Sequence, residues 1–527
     1  MEQPYTSNWP AERWLAESSL EVQMIVPDIE QFSKEYSAGK PVAVKTTLVG
    51  DLLTPVAAFL KLRQKRTGAA FLLESVEGGI ARGRYSMIGL DPDLIWRCTD
   101  GKAAINRDIL SGKEQFTAVS EPALASLRSL IAESALPLGD DFPPMAAGLF
   151  GYLGYDMVRQ MERLPEPNPD VLCVPDSVLV RPTVMVVFDT VRDEISIITP
   201  VRPSAAVSGN VAYEHALERL DSVARILEEP LQFDDRSTET VRFEQPVSNT
   251  TAEEYASMVE RAKEYVRAGD AFQVVLSQRF EADFPLPAFA LYRALRRTNP
   301  APFLCYLDFE DYQIVCSSPE ILVRVREGKV TIRPIAGTRP RGATPAEDRA
   351  NAESLLADPK ERSEHLMLLD LGRNDVGRVS EIGSVTVTDS FFLEYYSQVM
   401  HIVSNVEGTL APQYDALDAL QGGFPAGTVS GAPKVRAMEI IDELEKDKRG
   451  VYAGCIGYFG ADGEMDTCIV LRTALVKNGR MYVQAGAGIV YDSDPASEQQ
   501  ECVNKAKALF RAAEEAVHFA SRSRFGQ

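Results

Sequence analysis

A chain of 527 residues with 45 % hydrophobic and 25 % charged side chains has an ordinary globular composition and room for roughly two to four domains, which excludes a fibre, a small module and wholesale disorder. Its formal net charge of −21 argues against a nucleic-acid backbone or an anionic membrane as the main partner, so an anionic substrate would have to be attracted locally. Seven cysteines without a C-x-x-C pair fit neither a disulfide framework nor a zinc site and suggest buried thiols in a reducing compartment.

Residues 1–9 carry no basic or apolar targeting pattern, and no apolar run of ~18 residues occurs, so a cytoplasmic location without membrane contact is expected. Residues 71–75 (FLLES), 86–89, 93–98 and 178–189 (VLVRPTVMVVFD) are β-rich, and 148–156 (GLFGYLGYD) is a glycine-aromatic stretch. A helical pattern over 213–227 is followed by polar residues 228–250, the expected boundary. This predicts an N-terminal region of residues 1–230, a linker at 231–250 and a second domain at 251–527.

The second half opens on a helix, with a Thr251/Glu254 capping box, apolar residues at helical spacing and a stop at Gly269. Residues 271–280 then alternate as a strand. Phe272, Val274 and Leu276 form its expected core face, and Gln273, Val275, Ser277 and Arg279 the face free to line a site. Helices are predicted over 361–371 and 495–521, with a glycine-rich loop at 422–433 (GGFPAGTVSGAP). Strands and helices without strict βαβ alternation give an α+β class.

Glu361-x-x-Glu364 lies in an apolar helix, and Glu498-x-x-Glu501 with Lys505 forms a stripe on the last one. Two such pairs can converge on a hard divalent cation, although from spacing alone solvated faces are the better reading. A di-iron centre is disfavoured, because it needs two Glu-x-x-His motifs in a helix bundle. The glycine-rich runs lack the G-K-[ST] of a P-loop and a dinucleotide fingerprint, yet their N–H groups can hold a carboxylate. Arg472, inside an apolar run, needs an anionic partner.

In order, FQVVLSQR (272–279), Ser318-Pro319-Glu320, PIAGTRPRG (334–342), ERSEHLMLLDLGRND (361–375), His401, FPAGTVSGAPK (424–434), LRTA (471–474), AGAGIV (485–490) and residues 498–505 resemble the chorismate-utilising enzymes, most closely the anthranilate synthase component I branch. LLES (72–75), the turn at 84–89 and GLFGYLGYD extend the match more sparsely into the first half. The resemblance implies large mixed sheets packed as a β-sandwich core with helices outside, chorismate as substrate and Mg2+ as cofactor. It implies that Glu364 and Glu501, with Glu361 and Glu498, hold the metal, and that Tyr452, Arg472, Gly486, Ala487, Gly488 and Lys505 bind substrate. Glu320 matches the general acid for the departing hydroxyl, and His401, with Thr428, the group that takes the ring proton during pyruvate elimination.

Relatives that add water carry lysine where this chain has Gln273, and aminodeoxychorismate synthases commonly carry lysine in place of Ala336, beside Gly337 and Thr338. Both positions favour direct amination by ammonia. The nearest alternative is an aminodeoxychorismate or aminodeoxyisochorismate synthase that stops before pyruvate loss. No glutaminase motif appears, so ammonia is expected from a separate glutamine amidotransferase subunit, component II. Leu73, Glu74 and Ser75, closed by Asn299, Pro300, Leu304 and Cys305, match an inhibitory L-tryptophan pocket that makes the N-terminal region regulatory.

Overall fold

The computed structural model describes residues 25–77, 81–109, 115–232, 243–396 and 399–520. The first strand ladder runs through Val42–Val49, Glu194–Val201, Ser177–Asp189, Ala81–Thr99 and Ala70–Glu77. It crosses into the second half of the chain at Phe303–Asp308 and continues through Tyr312–Ser318, Thr473–Lys477, Arg480–Ile489 and Gln273–Asp283. A second ladder branches from the start of Ser177–Asp189 through Gly148–Leu153 to Cys455–Gly460, Met465–Ile469, Ile321–Arg326, Lys329–Ile332 and Val399–Thr409. Val399–Thr409 is flanked by Ile335–Pro340 and Thr386–Tyr395. Every described ladder is antiparallel, so the sheets differ in this respect from the mixed ones expected; consecutive strands mostly return directly, without the helical crossover that parallel pairing needs.

Period-two alternation separates the layers. Phe71, Leu73, Phe150, Tyr152, Ile314 and Ile456 fill a core shared by both sheets. Leu72, Tyr306 and Val315 face helices outside the first sheet, and Leu149, Val323 and Phe459 face helices outside the second. The result is a helix–sheet–sheet–helix sandwich. The long strands Ala81–Thr99 and Ser177–Asp189 serve both sheets, with a register shift near Pro92 where one turns toward the other.

The expected helices are present as Gly209–Glu228, Ala252–Ala268, Pro359–Gly377 and Pro495–Ala520, the last ending just before Ser521, which lies outside the described residues. Ala252–Ala268 has the Thr251/Glu254 capping box and stops at Gly269 with φ +86. Val274 and Leu276 are core residues as expected, but Phe272 precedes the strand and is 72 % exposed. The opposite face, Gln273, Val275, Ser277 and Arg279, is buried as well. Residues 1–9 and the middle of the expected linker, 233–242, lie outside the described residues. Among the described residues no helix is long and apolar enough to cross a membrane.

Candidate active site

Two links between the sheets place the central residues. Tyr312–Ser318 of the first sheet passes into Ile321–Arg326 of the second through Pro319 and Glu320 alone. Met465–Ile469 of the second returns to Thr473–Lys477 of the first through Val470, Leu471 and Arg472. The links are tied together, because the Ile469 N–H donates to the Glu320 carbonyl and the Ser317 N–H to that of Arg472. Each sheet also brings a helix to this seam. Pro495–Ala520 packs on Arg480–Ile489 and carries Glu498, Glu501 and Lys505, while Pro359–Gly377 packs on Ile335–Pro340 and carries Glu361 and Glu364.

Glu320 is buried, accepts a 2.8 Å hydrogen bond from Thr428 Oγ1, and has its carboxyl pushed up to about 8 by burial. At neutral pH it is largely a proton donor. The 3₁₀ turn Gly427–Val429 supplies Thr428, so this hydroxyl serves Glu320, whereas its expected neighbour was His401.

His401 is buried on Val399–Thr409, with Nδ1 3.0 Å from the Gly337 carbonyl and 3.1 Å from Thr338 Oγ1. A carbonyl only accepts, so Nδ1 carries the proton and Nε2 keeps the lone pair. Burial lowers the imidazole to about 4, which keeps it neutral, with one ring lone pair free, at physiological pH. The Gly337 carbonyl reaches it because the ladder shifts register between Ala336 and Thr338, where Gly337 has φ +71.

Two of the helix carboxylates feel the charge of their neighbours. Burial and then the charges of Glu361 and Glu501 raise the Glu364 carboxyl, and burial and Glu501 raise that of Glu498. Lys505 bridges Glu501 Oε1 at 2.7 Å and the Gly486 carbonyl at 2.9 Å, and Arg339 holds Glu361 at 2.8 Å. The set is oxygen-only and partly buried, with mutual repulsion only partly offset by lysines, a donor chemistry that suits a hard divalent cation.

Arg472 has φ +49 and its guanidinium is lowered by burial; among the described residues no ion pair to it is found. Next to it, Arg480–Ile489 outruns its neighbour: Thr473–Lys477 pairs only as far as Val483, which leaves one edge of Gly486, Ala487 and Gly488 without a strand partner. Tyr452 lies against Gly486, where an added Cβ would come within 2.9 Å of its hydroxyl. Gln273 packs on Gly488, where a Cβ would meet its Nε2 at 2.3 Å, and its buried Oε1 has no partner. Ala336 is buried on Ile335–Pro340, opposite Ile402, and carries only a methyl group.

Leu73, Glu74 and Ser75 pair directly with Cys305, Leu304 and Phe303. Leu73 and Cys305 face the inter-sheet core, whereas Glu74 and Leu304 point to the helix side. Glu74 there accepts from Tyr292 at 2.6 Å and bidentately from Arg296 at 2.7 and 2.9 Å. The Asn299 carbonyl accepts from Ser317 Oγ, next to the Glu320 link, and Pro300 follows it in the turn.

Two features escaped the sequence reading. Tyr396 packs edge-on against His401 at 5.5 Å. Arg449, buried, pairs with Glu445 and donates to the carbonyls of Val429 and Val275, while Glu445 accepts from Ser277. Glu445 and Arg449, four apart just before Tyr452, were the available signal.

Residues 69–511 match the family described as chorismate binding enzyme. The chain is 55 % identical over 496 residues to anthranilate synthase component 1 of Cereibacter sphaeroides, covering 94 % of this chain and 99 % of that protein. It is 47 % identical to the Pseudomonas putida protein of the same name, covering 90 % and 94 %. The crystal structure of anthranilate synthase component I from Streptococcus pneumoniae matches with a TM-score of 0.73 at 38 % identity, over 88 % of this chain and 99 % of that one. The menaquinone-specific isochorismate synthase of Escherichia coli shares the fold, with a TM-score of 0.67 at 18 % identity over 92 % and 98 %.

Proposed function

Because the chain belongs to the chorismate binding enzyme family, we propose that it converts chorismate and ammonia into anthranilate and pyruvate, as a large subunit supplied with ammonia from glutamine by a separate amidotransferase. The observation that supports this reading is that burial keeps Glu320 protonated and His401 neutral, with the His401 Nδ1 held by the Gly337 carbonyl and Nε2 left with its lone pair, states that suit a general acid and a general base.

Arg472, Tyr452 and the free edge of Gly486–Gly488 suit the enolpyruvyl carboxylate of chorismate. Glu361, Glu364, Glu498 and Glu501 would hold Mg2+, which when bound neutralises the ring carboxylate and brings an anion into an acidic protein. Glu320 gives its proton to the departing ring hydroxyl as ammonia attacks, and Thr428 orients the carboxyl. His401 then takes the ring proton through Nε2 as pyruvate leaves, with the Gly337 carbonyl steadying the charge that appears on the imidazole. Gln273 and Ala336 place no base or amine at the ring, consistent with free ammonia as nucleophile.

Incubation with chorismate, Mg2+ and ammonium is expected to give anthranilate fluorescence and equimolar pyruvate, and glutamine is expected to replace ammonium only when a glutaminase subunit is added. An amino product without pyruvate would favour the synthases that stop early, and glutamine use by the chain alone would refute the separate partner. His401→Met is expected to slow elimination more than amination, so that the amino intermediate accumulates in chromatograms of quenched reactions. Equal loss of both steps without an intermediate would remove His401 from that role.

Residues 1–230 form the regulatory region of this proposal and 251–527 the catalytic one, with L-tryptophan inhibiting from the Ala70–Glu77 and Phe303–Asp308 junction. This pairing joins the regulatory strand to the one preceding Tyr312–Ser318 and Glu320. A ligand that binds one arrangement better by ~1–3 kcal/mol is enough to bias it. Ser75→Phe is expected to relieve inhibition and spare uninhibited turnover. Superimposable inhibition curves for the variant and the parent would rule the pocket out.

A further inference from the structure

Cys305 and Cys316 lie opposite each other on neighbouring strands of the first sheet, and Cys468 meets them from the second. Their three Sγ atoms all lie within 4.8 Å of one another, and no other group of three or more His, Cys, Asp or Glu among the described residues brings its ligand atoms so close. All three are buried, at 5, 0 and 1 % exposure, among Leu73, Ile314 and Ile456. The proposed reaction uses none of them, and only Cys305 also lies in the strand junction proposed to hold L-tryptophan.

The surroundings select the ligand. Three thiolates on a monovalent or divalent soft ion leave net negative charge, and the acidic residue acting on Cys305 is Asp466, which opposes it. Trivalent arsenic leaves none. Arsenous acid, As(OH)3, is itself uncharged and condenses with three thiols: three As–O and three S–H bonds break, three As–S bonds and three waters form, and no electron is transferred. We infer that Cys305, Cys316 and Cys468 constitute a trithiol site for trivalent arsenic. Occupancy fastens the two sheets beside their seam, since Cys316 is two residues from Ser318 and Cys468 adjoins Ile469, whose N–H holds the Glu320 carbonyl. Binding is slow and time-dependent, because the ligand enters only when this layer opens locally.

The fully reduced chain incubated with sodium arsenite is expected, in native mass spectra, to gain one arsenic in place of three protons. Arsenic K-edge absorption is expected to show three sulfur neighbours and no oxygen. Cys316→Ser and Cys468→Ala should each weaken binding at least ten-fold, whereas Cys173→Ser, which removes an exposed thiol, should bind like the parent. Absence of an adduct, an arsenic–oxygen neighbour in the parent adduct, or undiminished binding in both triad variants overturns the site. The absorption spectrum of the parent decides the question even if a variant does not fold.

Discussion

Glu320→Gln is expected to reduce anthranilate formation by about 10²–10⁴-fold, the range over which positioned general acids contribute, and to make the folded protein more stable near pH 8. The amide keeps an acceptor for Thr428 Oγ1 and the shape of the side chain, but gives no proton to a leaving hydroxyl. Stability moves the other way because the folded carboxyl stands at about 8, above its ordinary value of 4.5. Below pH 4.5 both folded and unfolded chains are protonated here and the position is neutral in energy. As pH rises from 4.5 toward 8 only the unfolded chain releases its proton, so the folded state steadily loses stability, at roughly 1.4 kcal/mol per unit. Glutamine removes that loss. Thermal unfolding of parent and variant at pH 5 and pH 8, beside initial rates from anthranilate fluorescence, tests both halves. A variant of near-parental activity, or one whose advantage does not grow with pH, contradicts the assignment.

Glu364→Gln and Glu501→Gln are each expected to abolish Mg2+-supported turnover while leaving the fold intact. Glu364 is the more buried, and its carboxyl is raised by burial and by its two acidic neighbours, so the amide relieves repulsion inside the protein. Glu501 is half exposed and pairs with Lys505, which keeps its bond to the Gly486 carbonyl when the charge at position 501 is removed. What both variants lose is anionic oxygen for a hard cation. Magnesium titrations followed by calorimetry and by rate are expected to show weaker binding together with the lost activity. Unaltered magnesium dependence in both variants would exclude these residues from the metal set.

Local signals in the sequence described the elements well. The Thr251/Glu254 box and Gly269 framed a helix because capping is settled within a few residues, and the alternation around Val274 and Leu276 identified a strand. Phe272 escaped because period-two reasoning cannot tell where a strand starts, and the strand begins one residue later. The carboxylate pairs were visible as spacing, but that one helix comes with each sheet depends on pairing over hundreds of residues, to which periodicity is blind. The same limit hid what the Arg449–Glu445 pair holds, since Val275 and Ser277 lie far away in sequence. Polar residues at 228–250 suggested a boundary between two regions, but composition could not tell that strand order interleaves those regions at Ala70–Glu77 with Phe303–Asp308 and at Gly148–Leu153 with Cys455–Gly460.

That interleaving has a consequence for biosynthesis. When Gly148–Leu153 leaves the ribosome, its partner Cys455–Gly460 is still some 300 residues away. At about 5–20 residues per second the edge of a strand that ends up fully buried stays open for roughly 15–60 seconds, and Ala70–Glu77 waits almost as long for Phe303–Asp308. Pairings of such high contact order also close slowly once both strands exist. During translation the nascent first half is therefore a template for intermolecular strand addition, and soluble yield should depend on chaperone supply and growth temperature more steeply than the stability of the finished sandwich suggests.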